Sequence, residues 1–214
     1  MPRLLHLDSS ADLTTSTSRA VTAAFAAAWR ALGDDHTMTY RDLHRDPLPH
    51  LADAALHWHP ATRPDDAVPA DAAALQQELI DELFAADVVL VGSPLYNYSM
   101  PSTLKAWVDH VHVPGLTSAA PGEAPPMAGR PAVVVASRGL AYDASSPLAG
   151  SDHGTAVLEL VLGEALGMDV EVITADLTLA ASVPALADQA ERGRAERERA
   201  ITAAQDAARR LGRA

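Results

Sequence analysis

The sequence contains no cysteine, only 4% aromatic residues and no long apolar run. The absence of cysteine excludes disulfide bonds, thiolate nucleophiles and cysteine-ligated zinc or iron–sulfur centres, so any redox chemistry requires an imported cofactor. No stretch approaches the apolar length that spans a bilayer, and the first ten residues (MPRLLHLDSS) lack the core of a signal peptide. We therefore expect no membrane partner and a cytoplasmic location.

Positive charge is also scarce, because the sequence has 16 Lys and Arg but 28 Asp and Glu, which gives a formal net charge of −12. Binding to nucleic acid depends on clustered Lys and Arg that release counterions, so the composition argues against a nucleic acid partner. The 214 residues, 48% of them hydrophobic, suffice for one substantial core. We therefore expect a single domain over residues 1–214.

Short β-branched or leucine-rich runs alternate with longer alanine-rich segments of helical period. This alternation is typical of βαβ units around a parallel sheet. The third and fourth runs are almost continuously apolar, as expected for central strands with helices on both faces. The predicted strands are residues 3–8, 37–42, 87–93, 131–137 and 169–174, and later helices are predicted over 154–166 and 184–211. We predict an α/β fold with a doubly wound, five-stranded parallel sheet.

Two proline-rich segments, residues 44–69 and 114–129, are predicted to be long loops. Arg45 and Arg63 in the first are candidates for contacts that select NADH or NADPH. Histidines recur at i, i+2 spacing in HWH and HVH, which forms no coherent ligand set, so we expect no metal site. Residues 191–199 (ERGRAERER) mix both charge signs at helical spacing and are interpreted as a solvated helix face.

Residues 9–18 (SSADLTTSTS) follow the first strand and carry seven hydroxyl groups. Ligands of an open parallel sheet bind outside the carboxyl ends of its strands, and N–H groups at a helix N-terminus can hold a phosphate. The segment matches neither G-x-x-x-x-G-K-[ST] nor G-x-G-x-x-G, which argues against P-loop hydrolysis and a Rossmann dinucleotide site. It is either a phosphate site or an ordinary Ser/Thr-rich helix cap, and its position after the first strand favours the phosphate.

Residues 93–105 (SPLYNYSMPSTLK) follow the third strand and place two tyrosines and an asparagine before a helix predicted to begin at Pro101. Backbone N–H groups of such a loop can bond the pyrimidine edge of a flavin while the tyrosines cover its ring. The alternative is a pair of tyrosines that packs into the core. Residues 137–143 (SRGLAYD) follow the fourth strand, and their glycine permits close approach to a ligand.

Three segments in this order resemble the FMN-dependent NADH azoreductases, also described as quinone reductases, within the flavodoxin-like superfamily: SSADLTTSTSR, PLYNYSMPSTLKAWVDHV and SRGLAY. The second is the most specific, because its aromatic-Asn-aromatic loop runs through P-S-T-L-K-A-W into a helix. The resemblance implies a flavodoxin-like fold, an FMN cofactor, NADH or NADPH as donor and a homodimer. It also implies ping-pong reduction of quinones and azo compounds by hydride transfer through the flavin. We assign no catalytic side chain, because the cofactor carries the chemistry.

The resemblance also implies which residues bind FMN. Two positions depart from the family pattern, since Thr17 stands where Gln is common and Leu140 where a second Gly is common. Residues 117–123 lack the Phe and Tyr that many relatives place over the acceptor. The positions that match are Ser10, Ser16, Thr17 and Ser18 for the phosphate, Pro94, Leu95, Tyr96, Asn97 and Tyr98 for the loop against the ring, and Ser137, Arg138, Gly139 and Leu140 for its far side.

Other functions stay open on the sequence alone. A flavin reductase or nitroreductase-like enzyme would differ only in its acceptor. A one-electron flavodoxin-like carrier or a flavin-binding regulator without turnover would not be an enzyme. The long loops argue against the carrier, because they suit an acceptor pocket and a dimer interface.

Overall fold

The sheet has five parallel strands within the residues that the computed structural model describes, which are 1–64, 67–119 and 122–213. They are Arg3–Asp8 (β1), Thr37–Asp42 (β2), Val88–Pro94 (β3), Pro131–Ser137 (β4) and Asp169–Ala175 (β5). Their order across the sheet is β2, β1, β3, β4, β5, and every neighbouring pair is parallel. The predicted doubly wound sheet is confirmed, with β3 displaced by one residue and β5 one residue longer than expected.

The α-helices are Thr17–Arg30 (α1), Ala70–Ala85 (α2), Ser102–Val111 (α3), His153–Leu158 (α4) and Ala190–Leu211 (α5). The helix expected over 154–166 is α4 continued by a π-helix, Glu159–Ala165. The first six residues of the helix expected over 184–211 form a 3₁₀-helix, Pro184–Gln189. Within the described ranges, no helix combines the length and apolar character needed to cross a bilayer.

Helices cover both faces of the sheet because side chains alternate along each strand. Leu5 and Leu7 of β1 pack toward α2, α3 and α4, whereas Leu4 packs toward α1 and α5. On the second face, α1 presents Phe25 and Trp29 at helical spacing, and both are fully buried. Both layers therefore have an apolar core, and the loops at the strand ends remain available for binding.

The segments predicted to be long loops are only partly irregular. Residues 44–69 contain two short 3₁₀-helices, Ala54–His57 and Pro60–Thr62, so the expectation of a structureless loop is wrong there. Arg63 holds this segment together, because its side chain donates to the carbonyl oxygens of Trp58 (3.0 Å) and Leu56 (3.3 Å) and to the Gln76 side chain. Arg63 is therefore not free to select a nucleotide. Residues 65–66 of this loop, and 120–121 of the loop predicted over 114–129, lie outside the described residues.

The strand order reverses between β1 and β3. The chain moves outward from β1 to β2 in one direction and from β3 through β4 to β5 in the other. The connections after β1 and β3 therefore diverge to opposite faces and leave a crevice outside the carboxyl ends of these strands. The segments after β1, β3 and β4 all emerge beside this crevice.

Candidate functional site

Backbone and side-chain contacts bring the three predicted binding segments together. The N–H of Leu95 donates to the carbonyl of Ser137 at 2.8 Å, which ties the loop after β3 to the end of β4. The Tyr96 hydroxyl accepts from the N–H of Ala11 at 3.0 Å and lies 3.3 Å from the Ser10 hydroxyl. The loop after β3 is thus joined to both of its neighbours.

The first segment leads into α1, which begins at Thr17. Ser16 is the N-cap, and its hydroxyl accepts from the Arg19 N–H at 3.3 Å and lies 3.1 Å from the Ser18 hydroxyl. In the described residues, no hydrogen bond uses the N–H groups of Thr17 and Ser18. Unpaired N–H groups in the first turn of a helix suit an anion such as a phosphate.

Asp12 places a carboxylate in this same loop. The carboxylate accepts hydrogen bonds from the hydroxyl and N–H groups of Thr15 and Thr14. These bonds, with the Thr15 hydroxyl first, hold the pKa of Asp12 well below its usual range. The N–H groups of Thr14 and Thr15 are therefore already used, which leaves those of Thr17 and Ser18 for a ligand.

Arg19 holds the first segment in place. Its guanidinium donates to the Ser10 carbonyl at 3.1 and 2.7 Å and to both carboxylate oxygens of Asp42 at 2.7 Å. Burial opposes ionisation of Asp42, but hydrogen bonds from Arg19 and from the N–H groups of Arg45 and His44 outweigh it and lower the pKa. Arg19 therefore links this loop to the end of β2. Sequence reasoning missed this role, because only the pairing of β1 with β2 brings Asp42 close.

A second carboxylate, Asp8, lies beneath the crevice at the end of β1. It accepts from the hydroxyls of Thr22 at 2.8 Å and Tyr40 at 3.1 Å, and the Arg19 guanidinium lies 3.7 Å away. Burial, followed by the charge of Asp8, raises the pKa of Tyr40 to about 12, so Tyr40 remains a neutral donor at ordinary pH. A Cβ at Gly92 would lie 2.6 Å from an Asp8 oxygen, so this strand position has no room for a side chain.

The loop after β3 forms a tight turn. Tyr96 and Ser99 exchange backbone hydrogen bonds of 2.8 and 3.1 Å, while Asn97 and Tyr98 have φ values of 50° and 69°. A left-handed conformation is uncommon for a bulky residue such as tyrosine, and such residues cluster at functional sites. The turn leaves Tyr98 53% exposed, so the alternative that both tyrosines pack into the core is wrong for Tyr98.

The third segment is fixed by ion pairs. The Arg138 guanidinium donates to Asp176 at 2.5 Å and to Asp152 at 3.2 Å, and it lies 5.4 Å from the centre of the Tyr142 ring. The carbonyl of Gly139 accepts from the N–H of Leu179 at 3.2 Å. The Arg138 side chain is thus committed within the protein, and this loop offers a ligand mainly its backbone.

These three segments have the donors and the apolar surface that FMN requires. The free N–H groups suit the acceptor oxygens of a phosphate and of a flavin ring, and the exposed apolar side chains suit the ring faces. In the part of the chain that the structure describes, the N–H groups of the three segments without a hydrogen bond include those of Thr17, Ser18, Asn97, Tyr98, Gly139 and Leu140. The large apolar side chains exposed on these segments and on the loop after β5 are Leu13, Tyr98, Leu140 and Leu179.

The histidines of the described residues form no comparable cluster. Burial, followed by the charge of His57, lowers the pKa of His112. His110 is buried, and one ring nitrogen lies 3.0 Å from the carbonyl of Pro49. Across the described ranges, no group of three or more His, Cys, Asp or Glu residues could hold a metal ion.

Comparison with known proteins places the chain among flavin-dependent relatives. A family model with the description "Flavodoxin-like fold" matches residues 2–209. A protein of Kineococcus radiotolerans named FMN-dependent NADH:quinone oxidoreductase is 59% identical over 212 residues, which cover 99% of this chain and 100% of the relative. A protein of the same name from Streptomyces coelicolor is 45% identical over 204 residues, which cover 94% and 90%.

Solved structures agree with the fold. An azoreductase from Bacillus anthracis str. Sterne has a TM-score of 0.81 at 17% identity and covers 98% of this chain and 100% of its own. An FMN-dependent NADH-azoreductase from Bacillus anthracis str. Ames Ancestor, solved in complex with FMN, has a TM-score of 0.79 at 20% identity, with 99% and 100% covered. At these identities the likeness concerns the fold alone.

Proposed function

We propose that this chain, which belongs to the flavodoxin-like family, is an enzyme that binds FMN and reduces quinones and azo compounds with NADH or NADPH. Its relatives from Kineococcus radiotolerans and Streptomyces coelicolor are named FMN-dependent NADH:quinone oxidoreductases. The observation that carries the proposal is the meeting of three segments with unused N–H groups at the carboxyl ends of β1, β3 and β4. The relatives' name supports the cofactor and the quinone, and the azoreductase neighbours support the fold.

The predicted residues divide into three tasks. Ser10, Ser16, Thr17 and Ser18, with the first N–H groups of α1, would hold the phosphate. The turn from Pro94 to Tyr98 would bond the polar edge of the ring through the N–H groups of Asn97 and Tyr98. Ser137, Arg138, Gly139 and Leu140 would lie against its far side, through backbone groups and the Leu140 side chain. Sites of this kind position the partners and exclude water.

FMN, when bound, supplies the ring that accepts a hydride from the nicotinamide and passes electrons to the quinone or azo compound. The protein needs no nucleophile for this chemistry. Asn97 and Tyr98 would place N–H dipoles beside the ring, where they favour negative charge. Tyr98 and Leu140, both exposed, would form the apolar walls that orient a flat donor or acceptor. A ping-pong order is part of the proposal, because donor and acceptor would occupy the same exposed face in turn.

A homodimer and a cytoplasmic location also belong to the proposal. Trp58 and Leu160 are large apolar side chains that are 50% and 52% exposed, and a second copy of the chain would cover such residues. Light scattering of the purified protein gives the oligomeric state directly. A flavodoxin-like carrier or a regulator without turnover would bind FMN but would not oxidise NADH with a quinone as acceptor.

Visible absorption spectroscopy tests the proposed function. We expect the purified protein to bind FMN, NADH or NADPH to bleach the bound flavin under anaerobic conditions, and a benzoquinone to restore the absorbance. Protein that binds no flavin would refute the proposal. Bound flavin that neither nucleotide bleaches would leave only the regulator or carrier.

Replacing Tyr96 by phenylalanine should weaken the junction between the first two segments. The variant loses the hydroxyl that contacts Ala11 and Ser10, so we expect about 0.5 to 1.5 kcal/mol less stability and weaker FMN binding. Urea unfolding and fluorescence titration with FMN measure the two effects. Tyr98→Phe is the matched control, because no hydrogen bond of the described residues uses its side chain, and its stability should change by only a few tenths of a kcal/mol. Equal losses in both variants would contradict this account.

A further inference from the structure

A groove borders the first segment between the start of α1 and the start of α5. Two walls are formed by the start of α1 and the start of α5, and the floor is formed by the loop that follows β5. Its volume is about 330 Å³, at the small end of the range for ligand pockets. The polar residues that line it are Thr15, Thr17, Thr178, Ser182, Arg194 and Arg197.

The backbone holds this groove in shape. Leu177, on its floor, has a φ of 61°, an uncommon conformation for a bulky residue. A Cβ at Gly193 would lie 2.7 Å from the Leu177 carbonyl oxygen, so the glycine allows α5 to approach the loop closely. The Leu177 N–H donates to the Leu140 carbonyl at 3.3 Å, which joins the groove to the third binding segment.

The charge of the groove differs from that of the rest of the chain. Arg194 and Arg197 are one turn apart on α5, and no carboxylate among the described residues lies within 4.0 Å of either guanidinium. The other arginines of α5 with ion pairs point elsewhere: Arg192 pairs with Asp143, Arg199 with Glu196, Arg209 with Asp206 and Arg210 with Glu171. In a chain with a net charge of −12, two exposed guanidinium groups without a carboxylate partner at one groove favour the binding of an anion there.

We propose that this groove is a phosphate subsite, in which Arg194 and Arg197 bind a phosphate group of a nucleotide with the help of the Thr17 hydroxyl. The inference rests on the proposed function, because the phosphate belongs either to the NADH or NADPH donor or to FMN itself. Arginine suits this ligand because its planar fork donates two hydrogen bonds to one phosphate. Arg63 is bonded within its own loop, whereas Arg45, which is 63% exposed and lies 3.3 Å from Asp42, stays, together with the groove, a candidate for donor selection.

The test compares an Arg194→Gln, Arg197→Gln double variant with Arg199→Gln as the control on the same helix. Apoprotein is titrated with FMN, riboflavin and 2′,5′-ADP, and the holoenzyme gives KM values for NADH, NADPH and a benzoquinone. We expect the double variant to weaken one class of phosphate ligand about tenfold, while riboflavin affinity and the quinone KM stay within twofold of the control.

The outcome identifies the source of the phosphate. A weaker affinity for FMN, with unchanged KM values for both donors, assigns the groove to FMN. Higher KM values for the donors and weaker 2′,5′-ADP binding assign it to the donor, and a larger effect for NADPH assigns it to the 2′-phosphate. If FMN affinity, 2′,5′-ADP affinity and both KM values match those of the control, the subsite is refuted. Wild-type apoprotein that binds no FMN refutes the proposed function instead, and 2′,5′-ADP binding still tests the groove.

Discussion

Replacing Arg19 by glutamine is expected to lower the free energy of unfolding by about 3 to 5 kcal/mol and to abolish tight FMN binding. The Arg19 side chain is only 15% exposed and that of Asp42 only 6%, so the variant leaves a buried carboxylate without its partner. It also frees the Ser10 carbonyl, which Arg19 holds through two hydrogen bonds. The loop that presents the phosphate donors would lose its anchor to β2. Urea unfolding and fluorescence titration with FMN measure these losses.

Arg45→Gln is the matched control for this prediction. Arg45 contacts the same carboxylate at 3.3 Å, but its side chain is 63% exposed, so its loss should cost less than about 1 kcal/mol. Similar losses of stability in the two variants would show that burial of the Arg19–Asp42 pair is not the cause of the destabilisation.

The effect of Arg19 should also depend on pH. The folded-state pKa of Asp42 is lowered from its ordinary value of 3.8, so its contribution is present above that pH and is lost as the pH falls through the folded-state pKa. The stability difference between wild type and Arg19→Gln should therefore narrow below about pH 4. A difference that stays constant down to pH 2 would place its origin outside this ion pair.

Replacing Gly154 by alanine is expected to weaken FMN binding at least about tenfold and to cost about 1 to 3 kcal/mol of stability. The added Cβ would lie 2.7 Å from the backbone nitrogen of Met100 and 2.8 Å from the carbonyl carbon of Ser99. Backbone atoms cannot rotate away as a side chain can, so either α4 or the loop after β3 must move. The neighbouring N–H of His153 donates to the Tyr98 carbonyl at 3.0 Å, and the same movement would strain this hydrogen bond.

Gly163→Ala is the control within the same helical segment. A Cβ there would lie 3.5 Å from a methyl carbon of Val170, an ordinary van der Waals contact. Alanine also has a higher helix propensity than glycine, by up to about 1 kcal/mol, so this variant should be as stable as wild type or more so. FMN titration of both variants checks the prediction. Unchanged affinity in Gly154→Ala would mean that the turn from Tyr96 to Ser99 does not contact the flavin.

Much of this molecule was predictable because its determinants are local. Apolar runs and helical periodicity placed all five strands within one residue of their ends, and the signal is strongest for β3 and β4, which bury side chains on both faces. Once the sheet is parallel, the segments after β1, β3 and β4 must emerge at the same edge. The positions of the candidate FMN residues therefore follow from order along the chain. Their binding role stays a prediction that the variants above test.

Contacts between residues distant in the chain were decided by the tertiary structure alone. The ion pair of Arg19 with Asp42 requires β2 to lie beside β1. The ion pairs of Arg138 with Asp176 and Asp152 require the ends of β4 and β5 to meet the start of α4. The charged run at 191–199 illustrates the same limit. Its alternating signs indicate a solvated helix, but only two of its four arginines, Arg192 and Arg199, meet carboxylates among the described residues.

Composition and periodicity by themselves determined the fold class and the edge of the sheet that carries the site, and the resemblance of three segments to a known family implied the cofactor to expect. Only the tertiary structure decided which polar side chains hold the loops, and which, such as Arg194 and Arg197, remain unpaired beside a groove. The physical reason is the separation along the chain over which each kind of interaction acts. Hydrophobic patterns act over one helix turn or one strand, whereas ion pairs and close backbone approaches depend on elements that are adjacent only after folding.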